Sequence, residues 1–276
     1  MSHFIITPAE MYEAERAVLA SGRSSFALMR QAGDGVADVL QKHYPIGSIR
    51  VLCGTGGNGG DGFIAATRLA SFGRPVSVFS MVPHTELRGD CRQAFETWAG
   101  PVSPLSDALG SSEDITLDAL LGGGLSRPLE GVSVQLATTS NAPTISVDVP
   151  SGLDGATSEP LGACFQASLT VTFAALRPAH VLSPGKQMCG RVEVLDIGVP
   201  VPEHTLCREI AGETGDNVLV LNDPVDLDAW MGELGPTQSN RIDAVRLVAQ
   251  HSGRIVILEA PDRILAQPTG EVFVSP

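Results

Sequence analysis

Short apolar, β-branched runs recur at residues 49–53 (IRVLC), 75–81 (PVSVFSM), 115–121 (ITLDALL), 144–149 (TISVDV) and 169–176 (LTVTFAAL). Several are apolar nearly throughout, the pattern of strands covered on both faces. The stretches between them, 61–72, 84–99 and 127–139, have the length of crossover helices. Alternating β and α elements predict an α/β fold with a mostly parallel, doubly wound sheet. Ahead of the first strand, residues 7–44 read as two helices. Thr7 and Pro8 suit a helix start, and Leu28, Met29, Ala32, Val36, Val39 and Leu40 recur at helical spacing. A further strand at 190–198 is placed at a sheet edge, after a loop (RPAHVLSPGKQMC) that proline and glycine make too broken for a helix. Beyond residue 203 the texture changes to proline and polar residues, then a strand-like VLVL, a helix RIDAVRLVAQH and two more apolar runs. This divides the chain into a domain over 1–203 and a small α/β appendage over 204–276.

At 276 residues the chain suits one large α/β domain plus such an appendage. Asp and Glu number 31 against 18 Lys and Arg, a net charge of −13, so phosphate backbones are not attracted and nucleic acid is not an expected partner. No apolar run approaches the ~20 residues of a spanning helix, so no membrane is expected either. The opening segment has neither a signal-peptide nor a transit-peptide pattern, which predicts a cytoplasmic location. The five cysteines are scattered without a C-x-x-C pair, and the histidines without H-x-x-x-H spacing. Neither a disulfide framework nor a zinc site is predicted.

Six glycines fall in the nine positions from Gly54 to Gly62. Gly54-Thr-Gly56-Gly-Asn-Gly59 matches G-x-G-x-x-G between a strand and a helix. The dinucleotide fingerprint fails on two counts: no acid ends the second strand to meet a ribose, and Asp61 stands where a diphosphate would need the helix start. A phosphate-binding P-loop fails for want of a lysine. A tight turn alone, with Asp61 capping the helix beside Asn58, would need one or two glycines; six predict a close approach of backbone to a ligand. The oxygens of Asn58 and Asp61 suit a cation or a hydroxyl-bearing ligand. Two more loops leave the same predicted rim. One carries Asp118, then Gly122, Gly123 and Gly124 before Ser126, Arg127 and Pro128, an anion seat. The other carries Asp148, Pro150, Ser151 and Gly152, with a carboxylate that burial makes costly unless it is paired or used. No G-x-S-x-G surrounds Ser151, so a serine-hydrolase triad is not predicted.

The segments GTGGNGGDGFIAATRLASFGRPVSVF, LDALLGGGLSRPLEG, ISVDVPSGLDGATSE and LTVTFAALRPAHVLSPGKQMCGRVEVLDIGVP, in that order, closely resemble the YjeF N-terminal family, the NAD(P)H-hydrate epimerases, over residues 5 to 200. The resemblance implies a Rossmann-like three-layer αβα sandwich that interconverts the R and S epimers of NADHX and NADPHX. These are hydrated, damaged forms of the reduced nicotinamide cofactors, and a separate dehydratase restores the S form. It implies that Gly57, Asn58, Gly59, Gly60 and Asp61, with Gly122, Gly123, Gly124, Leu125, Ser126, Arg127 and Pro128 and with Asp148, hold the hydrate. Asn58, Asp118 and Ser151 would hold a monovalent cation, K+ (potassium) in the family. The partners expected on this reading are the small-molecule hydrate, a second copy in a homodimer and the separate dehydratase. Asp148, at its strand end, is the expected catalytic general acid/base. The rival expectation is a noncatalytic nucleotide-binding module that has lost turnover.

This chain departs from the family in having Gly57 where an asparagine is usual, Gly123 where Thr or Phe is common, and Arg177-Pro178-Ala179 in place of Lys-Pro-Gly. The segment NRIDAVRLVAQHSGRIVILEAPDRILAQPTGEVFVSP resembles the middle of the ribokinase-like dehydratase domain of fused family members. Glu259 and Ala260 stand where that domain reads Lys-Gly, and the glycine-aspartate catalytic segment is missing. A truncated remnant without dehydratase activity is expected.

Overall fold

The structure, a computed structural model, describes residues 3–124, 127–139, 141–202, 205–207, 218–221, 227, 240–260 and 262–275. Strand β1 (His3–Phe4) leads into helix α1 (Pro8–Ala20). At the start of α1, Thr7 and Glu10 form a capping box: the Glu10 N–H donates to Thr7 Oγ1, and the Thr7 N–H donates to the Glu10 carboxylate at 2.7 Å. Pro8 takes a first-turn position where its missing N–H is not needed. Helix α2 (Ser25–His43) buries Leu28, Ala32, Val36, Val39 and Leu40, the face read from their spacing.

The next elements are β2 (Ile49–Cys53), α3 (Gly57–Ser71), β3 (Val76–Ser80), α4 (Gly89–Phe95), β4 (Val102–Pro104), β5 (Ile115–Ala119), α5 (Val132–Thr139), β6 (Thr144–Val147), β7 (Leu169–Phe173), α6 (Pro178–Val181), α7 (Gly185–Cys189) and β8 (Arg191–Leu195). Their strands form a seven-stranded sheet in the order β4-β3-β2-β5-β6-β7-β8, and every pairing is parallel. The chain winds outward from β2 to β4, returns to β5 beside β2, and winds the other way to β8. On one face Val51, Leu117, Ile145 and Val171 pack with Val36, Leu40, Phe63 and Leu69 of α2 and α3. On the other, Leu52, Phe79 and Leu120 pack with Leu136 of α5 and Phe165.

Several local expectations are corrected. Helix α3 starts at Gly57 rather than 61, so the glycines are part of its first turns. The 84–99 stretch is a single 3-10 turn followed by α4, and α5 begins at Val132 rather than 127. The 177–189 loop holds α6 and α7, because Pro178 and Pro184 stand at helix starts, where proline is tolerated. Strand β4 was not anticipated: it is three residues long and ends in Pro104, an acceptable edge residue. Strands β5, β6 and β7 are not apolar on both faces. Thr116, Asp118, Thr144, Ser146, Thr170 and Thr172 alternate with apolar residues and form a buried polar row on one face of the sheet.

The remaining elements are β9 (Thr205–Cys207), β10 (Val218–Leu221), α8 (Arg241–Ser252), β11 (Ile255–Ala260), β12 (Asp262–Ala266) and β13 (Val272–Val274). They form a second, mixed sheet in the order β1-β9-β13-β12-β11-β10, so the first strand of the chain lies in the sheet of its last seventy residues. Helix α8 is capped by Asn240 and stops at Gly253, whose φ of 66° is left-handed. Its Val245 and Val248 pack with Val256 and Leu258, and with Leu176, Val181 and Leu182 of the first domain. The expected boundary at 203 and 204 lies outside the described residues. Among those described, no helix is long and apolar enough to cross a membrane, and Cys53, Cys91, Cys164 and Cys189 are free thiols.

Candidate functional site

Parallel pairing of Cys53 with Ala119, Asp118 with Ser146, and Val147 with Val171 brings the ends of β2, β5, β6 and β7 to one rim. Where the strand order reverses between β2 and β5, the two connections diverge and leave a crevice. A cleft of about 460 Å³ opens there. Its walls are α1, the start of α3, the loop after β5, and the residues following β6 and β7.

Most of the glycine density on this rim serves the protein's own packing. A Cβ on Gly54 would overlap the Leu120 carbonyl oxygen, and one on Gly59 would overlap that of Gly54. Only glycine lets the β2 exit press against both the β5 exit and the first turn of α3. Gly57 differs: nothing lies within 4 Å of its would-be side chain, and it borders the cleft. The N-cap of α3 is Gly56, with no side-chain cap, so Asp61 does not cap the helix. It lies in the second turn, 8% exposed, and its carboxyl borders the cleft. Burial pushes that carboxyl well above the ordinary aspartate value, and the charges of Asp148 and Glu15 push the same way.

Asp148 follows β6 with a left-handed φ of 64°, a conformation that costs a non-glycine residue about 1–2 kcal/mol. The twist turns its carboxylate into the cleft. Oδ2 accepts from the Gly123 N–H at 2.8 Å; Oδ1 accepts from Thr172 Oγ1 at 3.0 Å and pairs with Arg177 Nη2 at 3.2 Å. Burial raises this carboxyl, but Arg177, the Gly123 N–H, His180 and Thr172 together outweigh it and hold the group below its ordinary value. His180 locks the backbone. Its Nδ1 accepts from the Arg177 N–H at 2.9 Å, which leaves Nε2 to donate to the Asp148 carbonyl at 2.8 Å. Burial lowers this imidazole to about 4, against the pull of Asp148, so the ring is neutral at neutral pH.

Asp118 and Ser151 meet beneath the cleft. Ser151 donates to Asp118 through Oγ at 2.6 Å and through its backbone N–H at 2.8 Å, Ser146 Oγ adds a third bond at 3.0 Å, and the Leu121 N–H donates to Ser151 Oγ at 2.9 Å. Burial raises the Asp118 carboxyl, these hydrogen bonds oppose it, and no basic side chain pairs with it among the described residues. Asn58 reaches across the rim: its Nδ2 donates to the Val147 carbonyl at 3.0 Å, and its Oδ1 lies on the Gly122 side.

Of the sequence-predicted residues, Gly57, Asn58, Asp61, Gly122, Gly123, Gly124, Arg127 and Asp148 border one cleft. Gly59 and Gly60 lie behind it, packed on Gly54 and Met29, and Pro128 is not part of its wall. Leu125 and Ser126 lie outside the described residues. Glu15, Tyr12, Thr172 and His180 were missed. Pro8, Met11, Tyr12 and Glu15 share one face of α1 by their spacing, a signal present in the chain, but nothing local says which cleft that face borders.

A parallel, doubly wound α/β domain with a carboxylate-lined cleft at its switch point is the class that binds nucleotide-type ligands at the carboxyl rim. Residues 25–179 match the family described as YjeF-related protein N-terminus, and the chain belongs to that family. It is 35% identical over 184 residues to an NAD(P)H-hydrate epimerase of Rhodopirellula baltica, covering 63% of this chain and 75% of that protein. It is 36% identical over 195 residues to one of Rhodobacter capsulatus, covering 64% and 91%. With the bifunctional NAD(P)H-hydrate repair enzyme Nnr of Moorella thermoacetica it shares 34% over 218 residues, 71% of this chain but only 41% of that longer protein. The crystal structure of yeast ynu0 superposes with a TM-score of 0.60 at 21% identity, over 70% of this chain and 87% of that one, a likeness of fold.

Proposed function

We propose that this chain epimerises the R and S forms of NADHX and NADPHX as a step of metabolite repair. The observation that carries the reading is the pair Asp148 and Asp61: two carboxyls on one cleft, the first held below its ordinary value and the second pushed well above it. Carboxyls driven apart in this way take opposite proton roles. The hydrate carries a hydroxyl on the ring carbon next to nitrogen. Asp61, protonated, gives its proton to that hydroxyl, which leaves as water as the nitrogen lone pair forms a C=N bond. A water then adds to the opposite face and its proton passes to Asp148. One proton has moved from Asp61 to Asp148; exchange with solvent resets the pair for the next turnover, and the reverse conversion runs the same transfers backwards. The cationic ring between these events is stabilised by the surrounding carboxylates, with Arg177 keeping Asp148 ionised. The relatives named as NAD(P)H-hydrate epimerases support this assignment.

Potassium belongs to the same reading. Asp118 is a buried carboxyl without a basic partner among the described residues, and with Ser151 Oγ and Asn58 Oδ1 it offers hard oxygen donors that suit a monovalent ion. Bound there, the ion would supply the missing counter-charge under the 120–124 loop. In this reading the partners are the hydrate, a second copy of the chain and a separate dehydratase. On the same reading the last seventy residues, with Glu259 and Ala260 where the dehydratase domain reads Lys-Gly, supply no dehydratase activity.

One assay tests the whole reading. Mixed R and S hydrate is supplied with a separate dehydratase; this chain should carry consumption to completion, whereas a stall after the S fraction means no epimerisation. Without the added dehydratase, with ADP or ATP present, the S hydrate should persist; its loss would show that the chain has dehydratase activity. Replacing potassium by tetramethylammonium should slow the reaction, and an unchanged rate would remove the ion from it.

A further inference from the structure

The cleft above lies between the exit of β2 and the exits of β5, β6 and β7. Over the carboxyl ends of β3 and β4 a second cavity of about 570 Å³ opens. Val82, Leu105 and Val132 give it an apolar surface, and Ser103, Glu130 and Ser133 border it with polar groups. Ser133 is the informative one. Its side chain lines the cavity and its hydroxyl makes no hydrogen bond among the described residues, so it is open to a ligand there. Glu130 is exposed and has no ion pair among the described residues. The connection after β5 walls both cavities: Gly122–Gly124 and Arg127 border the first, and Glu130, Val132 and Ser133 the second.

We propose that this second cavity binds the adenosine half of the substrate, with the ribose hydroxyls on Glu130 and Ser133, the adenine on the apolar surface, and Arg127 beside the diphosphate between the two halves. The inference rests on reading the substrate as a dinucleotide hydrate. In an open α/β sheet a dinucleotide lies across the switch point, one half on each side. The paired carboxyls place the nicotinamide half over β6, so the adenosine half falls over β3 and β4, where this cavity lies. Strand β3 ends without the acid that usually accepts from the ribose, and Glu130 supplies it from the β5 connection instead. A carboxylate there accepts from a 2′-hydroxyl and repels a 2′-phosphate, so the site prefers NADHX to NADPHX.

Calorimetric titration of the full chain with AMP and with adenosine 2′,5′-bisphosphate tests this. AMP should bind, and the bisphosphate about tenfold more weakly, because its extra phosphate meets Glu130. Glu130→Lys should reverse that order. Ser133→Ala should weaken AMP by about fivefold, the loss of one hydrogen bond. If AMP fails to bind at millimolar concentration, or binds wild type, Glu130→Lys and Ser133→Ala alike, the proposal is overturned. AMP binding as expected without hydrate turnover would sink the epimerase reading and leave this site standing. Hydrate turnover with AMP indifferent to both substitutions would do the reverse.

Discussion

Asp148 and Asp61 are the same residue type on the same cleft, and only their neighbours set them apart. Asp148 faces a guanidinium, a backbone N–H and a hydroxyl; Asp61 faces apolar packing and two other carboxylates. Asp148 is therefore ionised above a depressed value, and Asp61 stays protonated until pH rises through an elevated one. Activity should hold across neutral pH and fall on the alkaline side as Asp61 loses its proton. Asp148→Asn should lower kcat by about 10²- to 10⁴-fold while the fold is retained, and a wild-type rate would remove Asp148 from the mechanism. The sign for stability follows from the same shift. A carboxyl raised by folding stabilises below its ordinary value, and that contribution is lost as pH rises through the raised one. Asp61→Asn should accordingly show a smaller decline in Tm toward alkaline pH than wild type. An equal decline would mean that Asp61 is not held protonated.

Helix α3 shows how one element combines two demands. Its first turn is pressed so close to the β2 exit that a methyl group at Gly59 would meet a backbone oxygen that cannot yield, while Gly57, two residues earlier, faces open space. Gly59→Ala should destabilise by about 2 kcal/mol or more. Gly57→Asn, which restores the residue usual in the family, should stay within about 0.5 kcal/mol and lower KM by adding an amide at the cleft. Denaturant unfolding and steady-state kinetics check both, and a costly Gly57→Asn would show that the open space is not there. The run of glycines was legible in the chain; which of them face ligand and which face protein was not, because that depends on how near β5 lies. The polar row on β5, β6 and β7 was likewise present as alternation, but its burial depends on parts distant in the chain, among them Ser151 on Asp118 and the Cys189 carbonyl that accepts from Thr170.

At the scale of the whole molecule, the last seventy residues are tied to the cleft. β1 joins their sheet, Ile5 bridges to Leu176, and Val181 and Leu182 pack against α8. Asp262, buried, accepts from the Ser183 N–H at 2.8 Å, from Ser183 Oγ at 3.1 Å and from Arg241 at 2.9 Å. These contacts hold the segment that carries Arg177 and His180, the two residues that orient Asp148. Asp262→Ala should speed hydrogen exchange of the 177–183 amides by about tenfold, lower kcat/KM, and leave the amides of β2 and β5 protected. Unchanged exchange at 177–183 would show that the appendage does not brace the site.

The sequence by itself determined the alternation of strands and helices, the parallel doubly wound sheet and the three loops at its rim, because these follow from periodicity, helix caps and chain reversals a few residues apart. Tertiary structure decided the rest: that Asp61 is buried, that Glu15 of α1 shares the cleft with Asp148, that Arg177 is the counter-charge, and that the first strand completes the last sheet. Charge interactions and burial depend on distance in space rather than along the chain, and the residues that set them here are separated by tens to hundreds of positions.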